Sequence, residues 1–316
     1  MSFAYIAVEH SGGELDAVTG ELITAAKVFG AVSAVVVGTP GTAAALAPAL
    51  TALGADQIVA AESETVSSRV VLPLVDALAV LASTNPAPVL LAASTTGNEV
   101  AGRLAARLAS GVLCNVVGVH ADRTATMSIF GDSITVSTAV RGASPIYTLR
   151  PGAIHATPQP GGGQLVSLEL PPATAKDVTV TEFVPTQRGD RPDLTQAKVV
   201  VAGGRGVGSA EGFASIVEPL ADVLGGAVGA TRDAVDNDFY SGTYQIGQTG
   251  VTVSPDLYIG LGISGAIQHK SGMQTSKTIV AINNDEDAPI FEIADLGVVG
   301  DIHEIVPALI EELKRR

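Results

Sequence analysis

Arg205, Arg232, the stretch Ser264–His269 and Asn283 each fall just after a run that reads as a β-strand. In open α/β sheets, ligands bind outside the carboxyl ends of the strands. These four polar groups therefore point to a binding crevice on one sheet edge. The run Asp256-Leu-Tyr-Ile-Gly-Leu-Gly-Ile-Ser-Gly-Ala-Ile-Gln-His269 says most. An apolar strand, Leu257–Leu261, enters the turn Gly262-Ile263-Ser264-Gly265, and a short apolar helix pattern follows with Gln268 and His269 in its first turns. Free backbone N–H groups and the positive end of a helix dipole then meet at one spot, which suits an anion. The imidazole of His269 is more than a plain phosphate cradle requires.

Other motifs are weaker. Val201-Ala-Gly-Gly-Arg-Gly-Val-Gly-Ser209 is a strand followed by a glycine loop. Counting G-x-G-x-x-G from Gly204 puts Ser209 where a glycine is needed. Thr231 and Arg232 stand where a ribose-binding acid belongs. A standard nicotinamide site is not expected; a tight turn with a solvated Arg205 and a nucleotide contact both stay open. Gln245-Ile-Gly-Gln-Thr-Gly250 reads by itself as a turn into Val251–Val253, although Gln248 and Thr249 can donate hydrogen bonds. Ser94 reads as a helix N-cap, and so does Asp301, with Glu304 in the capping-box position. A lone histidine such as His269 is more often a structural hydrogen-bonder than a ligand. His10, His120, His155 and His303 show no metal-ligand spacing with it, and no nucleophile elbow or triad partner is present.

Positioning these residues takes a regular α/β frame. Strand patterns at Phe3–Val8, Ser33–Gly38, Gln57–Ala60, Pro88–Ala93 and Leu113–Val119 alternate with helical patterns near Asp16–Phe29, Gly41–Leu53, Ser67–Ala82 and Gly97–Ala109. That rhythm predicts a parallel sheet with helical crossovers. Short runs follow at Thr124–Phe130, Ser133–Val140, Ile146–Arg150 and Gln164–Leu170, read as added antiparallel strands, with Asp177–Val184 as one more. The polar, proline-flanked stretch Pro185–Pro192 marks a boundary, giving domains 1–190 and 191–316. The second domain alternates again: strands at Val199–Ala202, Ala227–Ala230, Leu257–Leu261 and Lys277–Asn283, helices at Ser209–Leu224 and Asp301–Lys314.

Composition narrows the function. The 316 residues carry a net charge of −14, which argues against nucleic acid and against an anionic membrane surface. Cys114 is the only cysteine, so no intrachain disulfide forms. No apolar run reaches membrane-spanning length without glycine, proline or charge. The first residues run straight into a strand, and a cytoplasmic protein is the expectation.

Gly203-Gly-Arg-Gly206, Gly229-Ala-Thr-Arg232, Gly247-Gln-Thr-Gly250, Gly262–His269 and Ile279-Val-Ala-Ile-Asn283 occur in one order at consistent distances. Taken together, the chain resembles the electron transfer flavoprotein alpha subunit family over essentially its whole length. The resemblance implies two α/β domains, each a mostly parallel sheet flanked by helices, the second a Rossmann-like FAD-binding domain. It implies that Arg205 and Asn283 contact the adenosine and pyrophosphate side. Ser264, with Gly265, Ala266 and Ile267, would meet phosphate, and Gln268 the ribityl and phosphate region. Thr249 would bond the flavin edge at N5, with Ile246, Gly247 and Gln248 lining the ring. Thr231 would sit beside the ring and Arg232 over it. His269 would face the O2 and N1 locus, and Asp301 and Ile302 would close the adenine end. Val251 departs from the family pattern, which commonly has lysine there. The resemblance also implies a heterodimer with a beta subunit carrying AMP, the first domain as the dimer platform, acyl-CoA and other dehydrogenases as donors, and a membrane quinone reductase as acceptor. Such a chain is an electron carrier, not an enzyme with its own substrate; the alternative is a non-redox nucleotide-binding protein.

Overall fold

The computed structural model describes residues 2–130, 132–175, 177–182 and 191–315. The chain divides into two compact units, Met1–Pro185 and Thr186–Arg316. Most of the stretch Pro185–Pro192 lies outside the described residues.

The first unit holds β1 (Phe3–Ala7), a small hairpin of β2 (His10–Ser11) and β3 (Glu14–Leu15), then β4 (Ala31–Gly38), β5 (Gln57–Glu62), β6 (Val89–Ala92), β7 (Val112–Val119), β8 (Thr124–Ile129), β9 (Ile134–Ala139), β10 (Ile146–Leu149) and β11 (Gln164–Ser167). Helices α1 (Val18–Ala26), α2 (Thr42–Leu53), α3 (Leu72–Thr84) and α4 (Thr95–Leu108) cross over between strands. The main sheet runs β11-β5-β4-β1-β6-β10-β7-β8-β9. Alternate strand residues serve opposite faces, as the period of a strand requires. Ala4, Ile6 and Val32 pack with Leu22, Leu46 and Leu50, while Tyr5, Ala7 and Val35 pack with Leu78 and Leu104. Both faces are covered, so the central strands are apolar throughout.

Two of the expected antiparallel strands are parallel. β10 lies between β6 and β7 and runs parallel to both, and β11 runs parallel to β5 at the far edge. Of these runs, β8 and β9 are the antiparallel ones: they form a hairpin, and β8 pairs antiparallel with β7. All four residues of β10 are buried, which is the mark of a central strand rather than an added edge. The loop after it carries the chain across to β5. Backbone N–H groups of Gly152 and Thr157 donate to Glu21 (2.8 Å) and Thr24 (3.0 Å) on α1, and that of Gly161 to Thr51 O (2.9 Å) on α2. Asp177–Val184 forms no long strand among its described residues. It is stitched to the chain before α3 by Val70 N–H to Val178 O and Val180 N–H to Ser68 O, while Phe183 and Val184 lie outside the described residues. The Ser94 cap forms as expected, accepting from the N–H of Gly97 at 2.9 Å.

The second unit holds β12 (Val199–Gly203), α5 (Ala210–Gly212), a π-helical turn (Phe213–Val217), α6 (Glu218–Val223), β13 (Ala227–Ala230), α7 (Arg232–Asp236), β14 (Leu257–Leu261), α8 (Ile267–Lys270), β15 (Ile279–Asn283), β16 (Leu296–Val299) and α9 (Ile302–Lys314). The helix expected at Ser209–Leu224 is continuous but bulged. Pro219, which has no N–H to give, follows directly on the wide turn. The sheet is parallel in the order β13-β12-β14-β15-β16. One face packs Phe213, Val217 and Leu220 with Val306 and Ile310 of α9; the other packs Tyr258 and Ile279 with Ile246, Met273 and Ile290 from the connecting segments. β16 is absent from the sequence-based strands. It is a four-residue edge with a glycine and little burial, so it lacks the apolar run that marks its neighbours.

In the first unit, Arg69 joins two separate elements. Its guanidinium meets Asp76 of α3 and Asp177 of the stitched segment, each at 2.6 Å, with all three side chains under a tenth exposed. Removing one partner of a buried ion network leaves charge uncompensated. Arg69→Ala is expected to destabilise the first unit by about 3 kcal/mol, read as a lower urea midpoint; an unchanged midpoint would show that the contact contributes nothing.

Candidate functional site

The winding of the second sheet reverses at β12. From there the chain goes first to β13 on one side and then to β14 on the other. This is the switch point at which a doubly wound sheet opens a crevice outside its strand ends. Two loops flank it, 204–208 after β12 and 262–266 after β14. They touch backbone to backbone: Gly204 N–H donates to Leu261 O (2.9 Å) and Gly206 N–H to Gly262 O (3.0 Å). Gly262 has φ +60°, and a Cβ there would lie 2.8 Å from the Cα of Gly206. Both the dihedral and the contact demand glycine.

Beyond this contact the N–H groups of Ser264, Gly265, Ala266, Ile267 and Gln268 have no hydrogen-bond acceptor among the described residues. Gly265 turns the chain with φ +87°, so its neighbours' amides line one short arc. α8 is a single turn, so its dipole is small, and the unpaired amides rather than the dipole make this stretch attractive to an anion. Asn283, at the end of β15, is buried and braces the arc from behind. Its Nδ2 donates to Ile263 O at 2.8 Å and its Oδ1 accepts from Asp285 N–H at 3.0 Å.

The two arginines stand in solvent. Arg205 lies 4.0 Å from Asp233 with its side chain 77% exposed, and Arg232 meets Asp236 at 3.2 Å with 65% exposed. Exposed pairs of this kind are weak, so both guanidiniums are free to turn to a ligand. Thr231 is buried and serves as N-cap of α7, its hydroxyl accepting from Ala234 N–H. Asp301 caps α9 as expected, accepting from His303 N–H at 2.8 Å. The side chains of Ile246 and Ile302 are spent in the two cores.

The loop 245–250 folds against α8. Gln248 N–H donates to Gln268 O at 2.8 Å, and Gln245 Nε2 donates to the hydroxyl of Thr249 at 2.8 Å. That leaves the Thr249 O–H proton to offer outward, and Gln248 and Thr249 are both exposed. Behind them His269 is only 6% exposed. Its Nδ1 lies 3.1 Å from Ile246 O and its Nε2 lies 2.7 Å from the hydroxyl of Tyr258. A carbonyl only accepts, so Nδ1 carries the proton and Nε2 accepts from the tyrosine. Burial pushes the imidazole down to about 4, against the weaker upward pull of the Ile246 carbonyl. At neutral pH His269 is therefore uncharged, and the positive charge of this edge comes from Arg205 and Arg232. Tyr258 and Gln245 are the residues that the sequence motifs do not single out. The signal for Tyr258 was a phenol inside an otherwise apolar central strand, whose hydroxyl needs a buried partner.

Residues 5–186 match the electron transfer flavoprotein domain, and residues 193–274 match the electron transfer flavoprotein FAD-binding domain. An electron transfer flavoprotein subunit alpha from Mycobacterium tuberculosis (strain ATCC 25618 / H37Rv) is 56% identical over 317 residues, covering 100% of this chain and 99% of that one. The chain belongs to the electron transfer flavoprotein alpha subunit family. The corresponding subunit of Mycobacterium leprae (strain TN) is 54% identical with the same coverage, and that of Bacillus subtilis (strain 168) is 40% identical over 96% of this chain and 94% of its own. The second unit of this alpha subunit is thus the family's FAD-binding domain, and FAD is its cofactor. The residues present fit such a group. Five unpaired amides and two exposed guanidiniums suit a diphosphate, and the outward hydroxyl of Thr249 suits a heteroaromatic edge. The matched stretch of the FAD-binding domain includes Arg205, Thr231, Arg232 and the 246–269 residues; Asn283, Asp301 and Ile302 lie beyond it. Among the described residues no helix is long and apolar enough to cross a membrane.

Gly262→Ala forces a left-handed dihedral on a residue with a Cβ and pushes that atom into Gly206. It is expected to cost about 2–4 kcal/mol and to weaken FAD retention, both measurable by denaturation and by cofactor release. The buried neutral histidine gives a pH test. Its pKa is lower folded than unfolded, so its stabilising share is complete above about pH 6.5 and is lost as pH falls towards 4. Over that window the unfolded chain takes up a proton that the folded ring refuses, amounting to roughly 3 kcal/mol. Urea melts from pH 7 to 4.5 should show this steepening in the native chain and not in His269→Gln.

Proposed function

We propose that this chain is the FAD-carrying alpha subunit of a heterodimeric electron transfer flavoprotein, and that the crevice at the β12/β14 switch point holds the cofactor. The single observation that supports the placement most is the run of unpaired amides from Ser264 to Gln268, beside two exposed guanidiniums. Bound FAD supplies the one-electron redox chemistry; the protein supplies binding, orientation and electrostatics. In this reading the amides of Ser264, Gly265, Ala266 and Ile267 take the phosphates, with Gln268 next to them and Arg205 and Asn283 on the adenosine side. Asp301 and the backbone of Ile302 close that end. Gly247 and Gln248 line the ring with Ile246, and Thr249 donates its hydroxyl proton to the ring edge. Thr231 holds the turn from which Arg232 reaches over the ring. His269 contributes as a neutral imidazole beneath this loop.

Arg232 does the electrostatic work. A guanidinium near a group that gains negative charge stabilises the charged state, and more so where a partner excludes water. In our reading the beta subunit carries AMP, acyl-CoA and other dehydrogenases donate the electrons, a membrane quinone reductase accepts them, and the complex works in the cytoplasm.

Two measurements test this. The chain prepared with its beta partner should be yellow and release FAD on denaturation; a colourless complex that takes up no added FAD would leave a non-redox nucleotide-binding protein as the reading. Arg232→Ala should lower the midpoint potential for the first electron by roughly 60 mV, the one-electron equivalent of about 1.4 kcal/mol, whereas an unchanged potential would remove Arg232 from its role.

A further inference from the structure

We propose that Tyr258 is a positioning residue of the cofactor site: its buried hydroxyl donates to Nε2 of His269, holds the ring in the orientation in which Nδ1–H meets the carbonyl of Ile246, and so fixes the loop that presents Gln248 and Thr249. The inference rests on the reading of that loop as a wall of the FAD site, and it adds the device that holds the loop.

The chain of contacts begins on rigid ground. Tyr258 lies in β14, between β12 and β15, in register with Val200 on one side and Ile279 on the other. Its side chain is fully buried, and burial pushes its hydroxyl far up, so at neutral pH it is a donor. The donor has one partner within reach, Nε2 of His269 at 2.7 Å. With Nε2 accepting, the neutral ring must keep its proton on Nδ1, and that proton goes to Ile246 O at 3.1 Å. Ile246 is itself tied to β13 through its N–H to Ala230 O at 2.9 Å. Gly247 follows with φ +136°, and the chain then turns outward to Gln248 and Thr249.

Two features make the tyrosine more than packing. First, without its hydroxyl, buried Nε2 keeps a lone pair with no donor, and turning the ring to satisfy it gives up the bond to Ile246. Second, the other backbone bonds of loop residues 246–250 run to β13 (Ile246 N–H to Ala230 O) or within the loop and its exit (Gly247 N–H to Val251 O, Gly250 N–H to Gly247 O), and Gln248 N–H to Gln268 O, like the imidazole, ties the loop to the segment that carries His269. No carboxylate is hydrogen-bonded to the ring among the described residues, so nothing but the tyrosine and the carbonyl orients it. A clamp of this type sets geometry within the few tenths of an ångström that a cofactor wall requires.

The test uses the heterodimer with selectively ¹⁵N-labelled histidine at pH 7. The native complex should show His269 as the Nδ1–H tautomer, with Nε2 as an acceptor. Tyr258→Phe keeps the ring and removes the one donor. It should loosen the Nδ1–H bond to Ile246, read as faster exchange of that ring proton, raise amide exchange at Gly247–Thr249, and lower FAD affinity about tenfold. A native complex with the proton on Nε2, or a Tyr258→Phe variant with native exchange at both the ring proton and the loop, overturns the proposal. Ring-proton and loop exchange are read with and without added FAD. If both respond to Tyr258→Phe while neither form binds FAD, the clamp stands and the cofactor reading falls.

Discussion

The contact between Gly206 and Gly262 is the constraint on which the second unit depends. Loops that leave neighbouring strands at a switch point normally stay apart by the width of two side chains. Here neither has one, so the two turns close to backbone contact and bond directly. Their mutual bonds use up the amides of Gly204 and Gly206, and the N–H of Gly262 is taken by Ile282 O. The unpaired donors thereby lie beyond Gly262, in the stretch that runs to Gln268. A glycine-rich loop after the first strand of a sheet usually suggests that its own amides bind phosphate. In this chain that loop is a brace, and the unpaired amides lie in the loop after the third-position strand.

A second division of labour concerns charge. A crevice that holds a diphosphate and a reducible ring needs positive potential but does not need it buried. Burying a cation is expensive unless it is paired. The structure keeps its guanidiniums, Arg205 and Arg232, on the rim, where they are hydrated and weakly paired. The titratable ring that does go inside, His269, goes in neutral with both nitrogens engaged. A neutral ring fits that location, because an imidazolium there would have to donate from both nitrogens while Tyr258 has no other partner for its own proton.

How much of this is legible in the sequence depends on the distance over which each signal acts. The strand-turn-helix at Leu257–Lys270 is local, written in consecutive residues, and the structure reproduces it. So are the caps at Ser94 and Asp301. The placement of β10 is not local. Ile146–Leu149 is a short apolar run after a polar hairpin, and nothing within it says that its neighbours are β6 and β7 rather than β9. That is decided by the loop 150–163, which spans the helices α1 and α2 through single hydrogen bonds far apart in sequence. Edge strand β16 escaped for the opposite reason: with little burial it has no apolar pattern to read. The roles of Asn283 and His269 lay between these cases. Their positions after strands were visible, but that their side chains brace the protein itself came from partners 20 and 23 residues away.

The exposure of the crevice bears on how such a subunit works. Arg205, Arg232, Gln248, Thr249, Ser264, Ala266 and Gln268 are all exposed, and Ile267 beside them is 60% exposed. An enzyme that must exclude water from a reacting bond needs a closed pocket. A carrier needs the reverse, an edge of its redox group that successive partners can approach. The second unit provides a floor of backbone amides and a rim of charge but no roof. An apolar side chain such as Ile267 gains free energy when another surface covers it. The same surface would raise the effective strength of every charge at the rim by displacing water. In the proposed site, the affinity for the cofactor and the field that tunes it are thus coupled, through water exclusion, to any surface that covers this edge.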